Sequence, residues 1–177
     1  MIILTGVVGA GKSLQGQLLA DELGYQWLST GELFRSQLPK ERPKELEKGR
    51  LVNDDLVIDL IKGAISKLPP GKEAIFDGFP RTKYQAKWLL SYIQQNNIRL
   101  EAVINLVVSR DVSKGRLLAR GRSDDNEEGI QERFRAYDTK VAPILEFFKS
   151  QNIQVHDIDG DRTPEVVHED IMKCLNR

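Results

Sequence analysis

Short apolar, β-rich runs recur five times, at residues 1–5, 25–29, 74–77, 102–108 and 153–158, and each is followed by a stretch of helical periodicity. Alternation of this kind predicts parallel strands, because a parallel connection needs a crossover long enough to hold a helix. The expected fold class is therefore α/β: a doubly wound, five-stranded parallel sheet with helices on both faces. The helix before the third run is the clearest. Leu56, Val57, Leu60, Ile61, Ala64, Ile65 and Leu68 repeat at helical spacing behind Asn53 as N-cap, with Asp54 and Asp55 in the positive first turn and Pro69-Pro70-Gly71 as the stop. The last helix is punctuated by Thr163 as cap, Pro164 at its first position and Glu165 in its first turn. Residues 39–49 and 115–128 resist the alternation. No Gly/Ser-rich or Pro-rich run isolates them, so they read as excursions from one domain.

Composition narrows the function. A chain of 177 residues with 40% hydrophobic content buries enough apolar surface to need no disulfide or metal staple. Lys plus Arg equal Asp plus Glu at 26 each, so long-range attraction to nucleic acid or anionic membrane is not expected, and any anion site must be local. The single Cys174 completes neither a disulfide nor a zinc site and suits a reducing compartment. No apolar run approaches a membrane span and no basic leader precedes the first strand, so a cytoplasmic protein without a membrane or nucleic-acid partner is expected. His156 and His168 read as structural or surface residues. Trp27, Trp88 and Tyr92 read as packing, since no basic stripe accompanies them.

Directly after the first strand comes Gly6-Val7-Val8-Gly9-Ala10-Gly11-Lys12-Ser13, a G-x-x-x-x-G-K-[ST] string between strand and helix. Gly9, Ala10 and Gly11 let backbone N–H groups face a polyphosphate, and the following helix adds its positive end. Lys12 supplies a point charge to the β- and γ-phosphates, and Ser13 is the expected magnesium ligand. This loop predicts a P-loop nucleotide-binding fold. Alone, it leaves GTPases, motor-type ATPases and small-molecule kinases open.

Five later strings choose among them. These are Ser29-Thr30-Gly31-Glu32-Leu33-Phe34-Arg35; Gly49-Arg50-Leu51-Val52-Asn53-Asp54; Asp77-Gly78-Phe79-Pro80-Arg81-Thr82 with Gln85; Arg116 to Asn126; and Arg133 followed by Tyr137 and Pro143. In this order they resemble the nucleoside monophosphate kinases, with the adenylate kinases as the nearest branch. The resemblance implies transfer of the γ-phosphoryl group of Mg-ATP to AMP, giving two ADP. It implies an AMP-binding set of Thr30, Arg35, Val52, Gly78, Arg81, Gln85, Arg122 and Arg133. It implies an ATP-binding set of Gly9, Ala10, Gly11, Lys12, Ser13, Leu14, Arg116, Arg120 and Gly160, and a metal site at Ser13 and Asp77. Lys12, Arg81, Arg116, Arg120, Arg122 and Arg133 would surround the transferring group. Arginines suit this work, since phosphoryl transfer asks for spread positive charge and a planar guanidinium forks onto phosphate. An acceptor phosphate is already ionised, so no general base is required.

Bland readings stand beside these. Arg35 and Arg81 could be salt-bridged surface residues, Asp77 a turn aspartate, and Thr82-x-x-Gln85 a capping box. The arginines of residues 116–133 alternate with Asp124, Asp125, Glu127 and Glu128, as an exposed ion-pair network would.

The chain departs from the family at Ser13-Leu14, where Gly-Thr is usual, and at Val8, where proline is usual. The monophosphate-binding excursion, at about residues 30–52, is short, and the lid, at about 119–126, leaves no room for zinc. Closure should be a small loop motion. A pyrimidine monophosphate kinase, using UMP or CMP, is the alternative substrate reading, and a non-catalytic nucleotide-binding adaptor the alternative class. A sugar- or shikimate-type kinase leaves the string at Asp77 to Arg81 unexplained. No unpaired apolar surface announces an interface, so a monomer is expected.

Overall fold

The computed structural model describes residues 1–37, 52–122 and 124–177. Five strands, β1 (Ile2–Gly6), β2 (Gln26–Ser29), β3 (Ala74–Asp77), β4 (Ala102–Val107) and β5 (Val155–Asp159), form one parallel sheet in the order β2-β3-β1-β4-β5. Around it lie α1 (Lys12–Leu23), α2 (Thr30–Gln37), α3 (Asp54–Ile65), α4 (Lys83–Gln95), α5 (Arg110–Arg120), α6 (Glu127–Ala136), α7 (Ala142–Ser150) and α8 (Pro164–Cys174). A π-turn at Tyr137–Val141 joins α6 to α7.

The central strands β3, β1 and β4 are buried on both faces because both faces of the sheet are covered, whereas the edge strands β2 and β5 carry exposed polar residues. Along β1, Ile3 enters a core with Phe76, α3, α4 and α7, whereas Ile2 and Leu4 enter a second core with Ile75, Ile104, α1, α6 and α8. One-residue alternation thus feeds two cores. Helix starts follow their caps: Asn53 accepts from the Asp55 and Leu56 amides, Thr82 from Gln85, Ser109 from Val112 and Asn126 from Gly129.

The five strand runs and the parallel order agree with the sequence reading, with three local corrections. First, β5 begins at Val155, not residue 153; Ile153 instead closes a turn through its amide to Phe148 O (3.0 Å) and packs against the first core. Second, α3 ends at Ile65, before Leu68, and a short turn fills the gap to Pro69. Third, Thr163 occupies the N-cap position of α8 without a side-chain capping hydrogen bond.

In register Leu4 lies beside Asp77 on one side and Ile104 on the other, so β1 carries its following loop into the crevice at the carboxyl edge, between elements on both sides. The excursion at residues 38–51 lies outside the described residues, as does Ser123.

Candidate active site

The loop from Gly6 to Lys12 curls because its glycines are at positive φ. Gly9 is at +79°, and a Cβ there would lie 2.8 Å from Ser113 O, so α5 presses too closely for any side chain. The Ser113 hydroxyl in turn donates to Val8 O. Lys12, at the first position of α1, bends back to donate to Gly6 O (2.9 Å) and Val7 O (2.7 Å). Burial, reinforced by the nearby Arg81 and Arg120 and opposed by Asp77, lowers its ammonium to about 8. Ser13 Oγ donates to Asp77 Oδ2 at 2.7 Å, which joins the start of α1 to the end of β3.

Beyond β3 the chain turns through Gly78 at φ +77°. A Cβ here would sit 2.5 Å from Arg81 Nη2 and 2.9 Å from Thr30 Oγ1. The missing side chain is what lets Arg81 fold back, with Nε donating to Gly78 O at 2.7 Å. Thr30 is buried and its hydroxyl donates to the same carbonyl at 3.1 Å. Burial pulls the Arg81 guanidinium below its ordinary value, with Asp77 opposing and Arg133 adding to the shift.

On the other wall, α5 presents Arg116 and Arg120 one turn apart. Arg116 Nη1 donates to Gly160 O at 2.9 Å. Arg120 forks onto Asp125 through Nε (2.9 Å) and Nη2 (2.7 Å). Arg133 of α6 meets the same Asp125 (2.9 Å) and also Asp124 (3.2 Å), and the Arg122 amide donates to Asp125 at 3.1 Å. Burial works against ionisation of Asp125, but these hydrogen bonds outweigh it and hold the carboxyl at about 2.

These walls enclose a cavity of about 390 Å³ lined by the loop, Lys12, Ser13, Leu14 and Asp77, and by Arg35, Arg81, Arg116, Arg120, Arg122 and Arg133. Among the expected residues, Gly9, Gly11 and Gly78 also line it. Ala10, Thr30, Val52, Gln85 and Gly160 do not: Ala10 and Val52 are in the cores, and Gly160 backs the loop, with the open side of its Cα against Val108. Gln85 is 2% exposed, and both ends of its amide are engaged, Oε1 by the Arg81 amide (2.7 Å) and Nε2 by Asp54 (2.8 Å). Arg35 pairs with Glu32 on its own helix (2.7 Å). Gly49, Arg50 and Leu51 lie outside the described residues.

Two features were not legible as site components. Asp125 reads in sequence as one acid of a surface run, yet its side chain is fully buried as the hub of the arginine wall. The π-turn brings Tyr137 and Val141 onto the cavity wall, and the nearest signal for it was the spacing from Arg133 to Pro143. Among the described residues no group of three or more His, Cys, Asp or Glu could hold a metal, and no helix is long and apolar enough to cross a membrane.

A family model described as adenylate kinase matches residues 4–153. Curated relatives named adenylate kinase match along nearly all of the chain. The protein of Corynebacterium urealyticum is 33% identical over 182 aligned positions, covering 99% of both chains. That of Thermus thermophilus is 35% identical, covering 98% of this chain and 96% of its own. That of Mycolicibacterium paratuberculosis is 37% identical, covering 85% and 86%. With the loop after β1, the arginine-lined cavity and these likenesses in agreement, the chain belongs to the adenylate kinase family.

Proposed function

We infer that the chain catalyses reversible transfer of the γ-phosphoryl group of ATP to AMP, giving two ADP. The observation that carries the reading is the cavity in which the phosphate loop and Lys12 face six arginines drawn from separate parts of the chain. A polyanion of two nucleotides is the ligand that such a wall suits, in a protein whose net charge is +0.

On this reading the loop amides and Lys12 bind the donor's β- and γ-phosphates, and Lys12 exchanges its two carbonyl acceptors for phosphate oxygens. Gly9, Ala10, Gly11, Ser13 and Leu14 form the donor cradle. Arg116, tethered to Gly160, and Arg120 complete the donor side. Arg35 and Arg81 take the acceptor phosphate, with Thr30 and Gly78 shaping the turn beneath Arg81 and Val52 packing behind it. Arg122 and Arg133 serve the acceptor and the charge that develops on the transferred group. Gln85 reads the acceptor base. The reaction needs these groups to align two phosphates and exclude water, and no side chain needs to move a proton.

The hydroxyl of Ser13 against the carboxylate of Asp77 is a hard, oxygen-only pair beside the phosphate loop, which suits magnesium and not zinc. Bound as Mg-ATP, the ion would neutralise donor phosphate charge, with Ser13 and Asp77 holding it or its waters. One domain would carry a monophosphate-binding segment at about residues 30–52 and a short lid at about 119–126. The protein would work as a cytoplasmic monomer.

The test is a rate panel of AMP, GMP, CMP, UMP and dTMP with Mg-ATP, followed by ADP formation. Fastest turnover on AMP is expected. Fastest turnover on UMP or CMP would overturn the adenylate reading, and nucleotide binding without ADP formation would overturn the enzymatic one.

A further inference from the structure

The N-terminus of α3 is tied to the N-terminus of α4 by a carboxylate that the catalytic reading does not use. Asp54 Oδ1 accepts from Gln85 Nε2 at 2.8 Å, and its Oδ2 accepts from the Thr82 hydroxyl at 3.0 Å. Gln85 Oε1 accepts from the Arg81 amide at 2.7 Å. The Gln85 amide is therefore held at both ends by groups of opposite kind: a backbone N–H that only donates and a carboxylate that only accepts. Its sense is fixed by chemistry. Turning it over would set NH2 against N–H at Arg81 and oxygen against oxygen at Asp54, in a site where Gln85 is 2% exposed and water cannot relieve either conflict.

We propose that Asp54 is a positioning residue that sets acceptor-base specificity, by locking Gln85 in the one amide orientation that matches a 6-aminopurine and opposes a 6-oxopurine. The proposal rests on the reading that Gln85 meets the acceptor base. The locked amide has one N–H and one oxygen lone pair still to give, on defined sides. Adenine offers the complement, a ring nitrogen that accepts and an amino group that donates. Hypoxanthine offers the reverse on the same edge, a ring N–H that donates and a carbonyl that accepts, so it needs the forbidden orientation. Discrimination thus comes from a repulsive element behind the contact as well as from the contact itself. The Tyr84 hydroxyl donates to the neighbouring Asp55 at 3.3 Å, a second tie between the same two helix starts that leaves Gln85 untouched.

The experiment compares kcat/KM for AMP and IMP, with Mg-ATP as donor, in the parent protein and in variants. Asp54→Ala removes the acceptor for Gln85 Nε2 and is expected to narrow the AMP-to-IMP ratio about tenfold, mainly through KM and with kcat for AMP little changed. Asp54→Asn retains an oxygen of the same reach and keeps most of the ratio. In a Gln85→Leu background Asp54→Ala produces no further narrowing, because Asp54 acts through the amide that has gone. An unchanged ratio in Asp54→Ala, an equal loss on both acceptors, or additive effects in the double variant would each overturn the proposal and assign Asp54 to helix anchoring alone. Failure of the underlying reading looks different: Gln85→Leu by itself would leave KM for AMP and the ratio unmoved. Should Asp54→Ala not fold, Asp54→Ser, too short to span to Gln85, takes its place with the same outcomes.

Discussion

Replacing Asp125 by asparagine tests whether the arginine wall is held by one buried carboxylate. The side chain is 0% exposed and accepts from Arg120 twice, from Arg133 and from the Arg122 amide. Its carboxyl is lowered from 3.8 to about 2. At 1.36 kcal/mol per unit that shift is worth about 2 kcal/mol of folding stability. Because the folded value lies below the unfolded one, this stability is fully present above the unfolded value near 4 and is lost as pH falls through about 2. Asp125→Asn keeps the shape, removes the charge and should therefore cost about 2 kcal/mol at neutral pH, with the gap to the parent roughly halved by about pH 3. Urea unfolding of both proteins at several pH values measures it, and the m-value checks that the unfolded state is unchanged. A gap under about 0.5 kcal/mol, or one that stays constant between neutral and acid pH, would refute the hub.

Two further outcomes follow from crowding and from burial. Gly16, on the inner face of α1, has Trp27 Nε1 only 2.6 Å from where a Cβ would stand, so Gly16→Ala should destabilise by about 1–3 kcal/mol and shift the Trp27 fluorescence; a melting temperature equal to the parent's would show that β2 gives way freely. Lys12 has its folded value, about 8, below its unfolded one, so holding its charge in the ligand-free fold costs stability below about pH 8, and the cost fades as pH rises towards 10.5. After allowance for its two carbonyl bonds, Lys12→Met should stabilise the ligand-free chain by on the order of 1 kcal/mol at neutral pH while abolishing ADP formation, and a lower melting temperature would contradict this.

What was legible in the sequence was whatever is encoded within a few residues. The loop from Gly6 to Ser13 announces its strand, turn and helix together, and Asn53 and Thr82 cap the helices they precede. The illegible parts depend on convergence of distant segments. Asp125 is buried only because α5 and α6 meet over it, bringing Arg120 and Arg133 to one carboxylate; on the chain it is one acid among several. Thr163 has the right residue type in the right place, but no first-turn amide donates to its hydroxyl, so residue type alone does not make the cap. Ile153 is apolar like a strand residue and is consumed by a turn, because apolarity reports burial and not backbone conformation. Of the capping box that the spacing of Thr82 and Gln85 allowed, one half is present. Thr82 caps the Gln85 amide at 3.2 Å, while the side chain braces the Arg81 backbone.

Apart from Arg122, the described cations of the cavity are held in two ways. Lys12, Arg81 and Arg116 rest on backbone carbonyls, those of Gly6 and Val7, of Gly78 and of Gly160. Arg35 and Arg120 rest on the carboxylates of Glu32 and Asp125, and Arg133 on those of Asp124 and Asp125 together with the carbonyls of Asp124 (2.6 Å) and Gly129 (3.1 Å). A carbonyl fixes a cation's direction without cancelling its charge, so the first group keeps most of its field for an incoming phosphate and gains when a charged oxygen replaces a neutral one. A carboxylate neutralises as it orients, so the second group yields less attraction but is aligned before a nucleotide arrives, most firmly at the buried Asp125. This division explains how cations held in both ways line one cavity of an electrically neutral protein without forcing it open. Removal of Asp125 therefore acts in two directions, freeing charge for the ligand while releasing the arginines that must be aligned when it arrives.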